Sequence, residues 1–371
     1  FGIPGVHTIE IYRGLHKTSI KHITPRHEQG AGFMADGYSR VSGKPAVCLV
    51  ITGPGLTNIL TAMAQARADS IPMLIISSVN PYDNKRKLSG LLHELPNQQK
   101  LLKKIAISSL TVKKTKDLIP AIKKSFLKML EERPGPVHLE IPTNVLNYEY
   151  QKLKKNNLCI KKKKIKSSEK KINDVSNYLT HAKYPILLLG GGARGCDEYI
   201  LKIVEKLSPY VITTINARGI LGDHSMCIPA SPTLKTVRKE LKKADIVLAV
   251  GTEFGETDYD MYKDGNFPKL KKLIRVDINK NQLTKNIQPY LSIRSDAIYF
   301  FKKLYEILLV KKHYKKSSLQ TPQTAKIIRK LCLKEIEPKF KVPLNLISTI
   351  SSNFPDAILV GDSTQPTYAG N

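Results

Sequence analysis

Residues 26–58 read RHEQGAGFMADGYSRVSGKPAVCLVITGPGLTN, and this stretch decides the fold. Glu28 opens a helical pattern that runs over 28–42. The run 46–52 (AVCLVIT) is apolar almost throughout, the pattern of a strand covered on both faces. The turn Gly53-Pro54-Gly55 follows at once, and a second helical pattern covers 56–69. Strand, tight turn and helix make the repeating unit of a parallel α/β sheet, and such sheets bind ligands at the carboxyl ends of their strands. Gly30, Ala31 and Gly32 follow Glu28, so something must approach the helix backbone closely. We expect a ligand there, facing Glu28. The plainer alternative is a surface glutamate favoured by the helix dipole.

Outward from this stretch the alternation continues. Helical patterns cover 6–16 and 117–132; strand patterns cover 20–24, 72–77 and 136–141. Residues 148–172 are rich in Lys and Asn and read as a linker. A second alternating unit has strands at 185–190, 210–215, 246–251 and 272–278 and a closing helix at 296–310. We expect two doubly wound, Rossmann-like, three-layer α/β domains with parallel sheets, at 1–147 and 173–312. A second linker, 313–340, leads to 341–371, which read as the start of a third domain with a strand at AILVG (357–361). Phe1 and Asn371 both read as cut ends.

Composition narrows the function classes. The formal net charge is +29, but 48 of the 60 basic residues are Lys, spread along the chain, and no nucleic-acid-binding motif is present. Specific readers of bases lean on Arg, so we expect no nucleic-acid partner. No apolar run approaches the ~18 residues of a membrane span. The five cysteines (Cys48, Cys159, Cys196, Cys227, Cys332) have no metal-ligand spacing, and scattered thiols suit a reducing, cytoplasmic setting.

HEQGAGFMADGYSRVSGKP, ITGPGLTN and ADSIPM (68–73), at this spacing, resemble the N-terminal domain of the acetolactate synthase and 2-oxo acid decarboxylase family, whose cofactor is thiamine diphosphate. VDINKNQLTKN (276–286) resembles that family's central domain, so the likeness covers essentially the whole chain. The resemblance implies that Glu28 bonds N1′ of the aminopyrimidine ring, is buried, and promotes formation of a C2 ylide that attacks a 2-oxo acid and releases CO₂. It also implies that Gly53, Pro54, Gly55 and Asn58 lie along the pyrimidine or substrate side. Pro4 and Gly5 form another edge, and Gln365 matches a glutamine near the diphosphate. The family holds Mg²⁺ through a GDG motif in its third domain; Asp362 sits in GDS instead, so no metal ligand is assigned. The site lies between subunits in the family, which implies a homodimer or homotetramer.

Two departures bear on the reaction. Where acetolactate synthases have Phe-Gln-Glu-Thr-Pro, this chain has Leu92-His93-Glu94-Leu95-Pro96. His93 can move protons near neutrality and would suit release of an aldehyde. Where flavin-binding members have Gly-x-Arg, this chain has Gly251-Thr252-Glu253, which puts FAD in question. LHELPNQQ and GTEFGETDYDMYKDGNFP (251–268) resemble the branch that decarboxylates 5-guanidino-2-oxopentanoate. The acids Glu253, Glu256, Asp258, Asp260 and Asp264 could line a guanidinium site or form a solvated loop. Gly190-Gly191-Gly192-Ala193-Arg194-Gly195 fits GxGxxG but lacks the expected acid about twenty residues on, so we read it as a glycine turn. The expected activity is 2-oxo acid decarboxylation. Acetolactate synthesis is the alternative, and a non-catalytic relative of the fold is the third.

Overall fold

A computed structural model describes residues 1–81, 89–147, 164–259, 267–311 and 317–370. The chain forms two compact units, 1–163 and 164–371.

The first unit carries a parallel sheet of β1 (Ala46–Val50), β2 (Met73–Val79), β3 (Ser108–Thr111) and β4 (Pro136–Pro142), in the order β1-β2-β4-β3. Cys48, Val50, Met73 and Ile75 face one core with Ala31, Ala35 and Leu102; Val137, Leu139 and Ile141 help build another with Met129. Two cores sharing one sheet explain why the strands are apolar on both faces. Residues 20–24, expected as a strand, join no ladder among the described residues. Gly2 N–H donates to the Ile23 carbonyl at 3.1 Å, while Phe1 and Gly2 themselves lie along β1. The helix Gln98–Ile105 and β3 were missed in the sequence, because QQKLLKKI and SSLT carry few apolar residues.

The helix Glu28–Ser42 falls where the pattern placed it. The His27 side chain accepts from Gln29 N–H at its start, and left-handed Gly43 ends it. Of its small residues, Gly32 is accounted for within the fold. A Cβ on Gly32 would stand 2.4 Å from Ala62 Cβ, so the helix Leu60–Ala68 makes the close approach. Arg40 pairs with Asp36 one turn back and reaches Asp69 at 2.6 Å. ADGYSR and ADS are thus tied together as a structural clamp.

The second unit has six parallel strands: β5 (Pro185–Leu189), β6 (Tyr210–Thr213), β7 (Cys227–Ile228), β8 (Ile246–Val250), β9 (Leu273–Asp277) and β10 (Leu291–Arg294), in the order β10-β9-β8-β5-β6-β7. This is the doubly wound order, with its switch point between β5 and β8. The glycine turns after those two strands pack on each other: a Cβ on Gly190 would stand 2.2 Å from the Gly251 carbonyl oxygen. Close backbone approach therefore accounts for these glycines. Arg275 in β9 is buried and donates to the carbonyls of Thr252, Lys285 and Ile287 over the Phe254 ring, binding the VDINKNQLTKN segment to the β8 loop.

The expected linkers are shorter than 148–172 and 313–340. Residues 148–163 lie outside the described residues, but a helix starts at Glu169 and buries Ile172. The helix Pro322–Glu335 buries Ala325, Ile328 and Cys332 in the second core. The strand expected at 357–361 does not form. Those residues have no ladder partner among the described residues, and Ile358 and Val360 stand 90% and 92% exposed. An isolated strand leaves its backbone groups to water and buries nothing.

Candidate active site

The polar residues of interest in the first unit gather at the carboxyl ends of β1 and β2. The turn after β1 carries Gly53 at φ +65°, ψ −118°, a conformation that only glycine adopts easily. A Cβ there would also stand 2.4 Å from the His93 carbonyl oxygen. Gly53 thus lets two chain segments touch, and that contact brings His93 beside the turn. Pro54 then starts the short helix Pro54–Asn58.

Asn58, at the end of that helix, donates its Nδ2 to Glu28 Oε2 at 2.9 Å. Glu28 Oε1 faces Gly55, where a Cβ would come within 3.1 Å of it and 2.5 Å of Ile51 Cγ2. One carboxylate oxygen is tethered, and the other is presented over a position kept bare of a side chain. In the single chain Glu28 is half-buried, in the first turn of its helix. Gly5 packs against the same Ile51, with Pro4 exposed beside it.

His93 takes a left-handed backbone, φ +57°. Its ring stacks on His7 with centroids 6.1 Å apart and planes 28° apart. Neither His7 nor Asn80 was singled out in the sequence. His7 Nε2 meets Asn80 Oδ1 at 3.1 Å, and Asn80 Nδ2 donates to the Leu92 carbonyl at 3.2 Å. The nearest signal was FGIPGVHT itself, whose Pro-Gly drew attention two residues too early. The structure therefore brings together Glu28, Gly53, Pro54, Gly55, Asn58, His93, Pro4 and Gly5. Gln365 opens the short helix Gln365–Gly370 in the second unit and is exposed.

Within the acidic group of the second unit, Asp258 has a local role. Asp258 is buried and accepts from Thr252 Oγ1 at 3.2 Å, and desolvation raises its carboxyl to about 6. Asn286 donates to the Glu253 carbonyl. Asp260 and Asp264 lie outside the described residues. Among the described residues no cluster of three or more His, Cys, Asp or Glu side chains could hold a metal ion.

Comparison with known proteins places these features. Residues 1–101 match the thiamine pyrophosphate enzyme N-terminal TPP-binding domain, and residues 172–304 match the central domain of the same enzymes. A probable 2-ketoarginine decarboxylase of Pseudomonas aeruginosa is 36% identical over 378 residues, covering 100% of this chain and 66% of the relative. The acetolactate synthase isozyme 1 large subunit of Escherichia coli is 32% identical, over 80% of this chain and 52% of the relative. The chain thus spans just under two thirds of the first relative's length and about half of the second's. A solved structure of a putative thiamin diphosphate-dependent enzyme from Mycobacterium smegmatis superposes with a TM-score of 0.73 at 19% identity, covering 87% of this chain and 60% of that one, and so shares the fold. The chain belongs to the thiamine pyrophosphate enzyme family, of which it carries the N-terminal TPP-binding and central domains.

Proposed function

We propose that this protein acts in the thiamine diphosphate-dependent decarboxylation of a basic 2-oxo acid such as 5-guanidino-2-oxopentanoate. The observation that carries the reading is the cradle of Glu28, Asn58 and Gly55: a tethered carboxylate facing a bare backbone position. That cradle fits one edge of an aminopyrimidine. Glu28 would hold N1′ and its proton, Asn58 would fix the carboxylate's orientation, and Gly55 would leave room for the ring. When bound, thiamine diphosphate supplies the electron sink that 2-oxo acid decarboxylation requires. His93, beside Gly53, would hold the proton delivered as the aldehyde departs. Alignment of the whole chain with a relative named as a 2-ketoarginine decarboxylase supports the substrate.

The likeness to acetolactate synthase favours a second reading, joining of two 2-oxo acids. Product analysis separates the two. With the guanidino acid we expect CO₂ and the matching aldehyde; acetolactate from pyruvate without aldehyde from either acid overturns the proposal. A protein that binds the cofactor but turns over neither acid would be a non-catalytic relative. Magnesium is proposed to accompany the diphosphate; cofactor binding unaffected by a chelator counts against it. FAD is not part of the proposal, because Gly251-Thr252-Glu253 stands where flavin-binding members have Gly-x-Arg. Gln365 is proposed to lie near the diphosphate, which a Gln365→Ala variant with unchanged cofactor affinity would refute.

A homo-oligomer with the site near its interface is part of the proposal. Phe33, Met34, Tyr38 and Val41 are exposed on one side of the helix that Glu28 opens, with Gly30 and Gly37 between them. Val41 alone is 92% exposed. Replacing Met34 and Val41 with Glu is expected to shift the protein toward the monomer in sedimentation; an unchanged mass removes this face from the interface. No helix among the described residues is long and apolar enough to cross a membrane. A cytoplasmic setting is proposed from the buried free thiols Cys48, Cys196, Cys227 and Cys332, and recovery of the protein from an exported fraction would count against it.

A further inference from the structure

We propose that His7 is a substrate-recognition residue, accepting a hydrogen bond through Nδ1 from the cationic end of the substrate. The inference rests on the function proposed above. It begins with Asn80, whose amide is oriented by the network: Nδ2 donates to the Leu92 carbonyl, so Oδ1 faces His7. An amide oxygen only accepts, so His7 Nε2 must carry the proton. In the neutral ring Nδ1 is then a bare lone pair. That atom is buried and has no hydrogen-bond partner, and His93 Nδ1 shares the same condition. A buried acceptor without a donor costs free energy unless a ligand supplies one.

The surroundings select the kind of donor. His93 and Glu94 stand in a turn closed by the Leu91 N–H, which donates to Glu94 Oε2 at 3.1 Å. Asn80 is committed at both ends of its amide. His7 thus offers a bare imidazole nitrogen with a second imidazole stacked on its ring, and the Glu94 carboxylate follows His93 in the chain. In so basic a chain, this group of acceptors suits a guanidinium or ammonium rather than an anion. Asn80 is a positioning residue: it fixes the tautomer of His7 and ties it to the turn that carries His93.

Two replacements separate recognition from support, because Asn presents its amide near the place of Nδ1 and Gln near that of Nε2. In the cofactor-loaded protein, the readout is the ratio of kcat/KM for 5-guanidino-2-oxopentanoate to that for 2-oxopentanoate. His7→Gln and His7→Phe are expected to lower this ratio about tenfold, the usual scale for one lost hydrogen bond to a charged group. His7→Asn is expected to restore most of it. A ratio unchanged in His7→Gln, or lowered equally in His7→Asn, overturns the assignment. A second measurement does not need turnover. In protein with ¹⁵N-labelled histidine, His7 should report the Nε2–H tautomer, and Nδ1 should shift with 5-guanidinopentanoate but not with pentanoate. A wild type that turns over neither acid defeats the decarboxylase reading alone; absence of the Nδ1 shift defeats the role of His7.

Discussion

Glu28→Gln is expected to leave thiamine diphosphate binding nearly intact while slowing hydrogen exchange at C2 of the bound cofactor by about 100-fold or more, the scale of a lost acid–base group. The reasoning is local. Glu28 Oε2 is held by Asn58 Nδ2 at 2.9 Å, and Oε1 faces the bare Gly55. Gln keeps the length and shape of the side chain, and its amide oxygen can still accept from Asn58. What it loses is the ability to take and return a proton at the presented position. Removing a charge from the first turn of Glu28–Ser42 costs about 0.3–1 kcal/mol through the helix dipole, so folding should survive. Exchange measured by NMR, with affinity measured by calorimetry, gives the two quantities separately. Unchanged exchange would refute the role given to Glu28, whereas lost affinity with unchanged exchange would make it a binding group only.

The sequence told this much because the motif residues act locally. Helix start, buried strand and glycine turn are set by neighbours in the chain, and 28–42 could be read to the residue. What surrounds them is long-range. Gly32 looked like a ligand's approach and proved to be Ala62's. Asp36, Arg40 and Asp69 are separated by up to 33 positions and meet only when the helix packs against Leu60–Ala68, which Asp69 ends. His7 and Asn80 are 73 positions apart, and no periodicity connects them. The helix Gln98–Ile105 and β3 escaped notice because their inward side chains are partly polar. Such residues read as loop until their partners across the sheet are seen.

Those partners make His138 the source of a second large effect: the first unit should lose stability steadily as the pH falls below about 6.5, the ordinary histidine value. His138 in β4 is 0% exposed, with Ser77 Oγ on Nε2 and Ser109 Oγ on Nδ1, both at 2.8 Å. Gln98 completes the seam, donating to Ser77 Oγ and to the Ser78 carbonyl and accepting from Thr52 Oγ1. Among the described residues no carboxylate bonds the ring, and burial pushes the imidazole down to about 3. The unfolded chain then binds a proton near pH 6.5 that the folded chain refuses until about pH 3. Between those values the unfolded state holds more protons, and stability falls by up to about 1.4 kcal/mol per pH unit on acidification; above the window the contribution vanishes. Glu140, on the same strand, acts in the opposite direction. Burial raises its carboxyl against hydrogen bonds from Thr111 and Gln98, so acidification favours its folded form and offsets part of the loss. Urea unfolding followed from about pH 7 to pH 4 measures the balance. A His138→Gln variant should be less stable near pH 7, where the wild-type seam is intact, and its slope of stability against pH should be flatter than that of the wild type, so that the difference between the two narrows on acidification. Equal slopes would mean that His138 takes up its proton in the folded protein, and the seam between β2, β3 and β4 would then have to open to admit it.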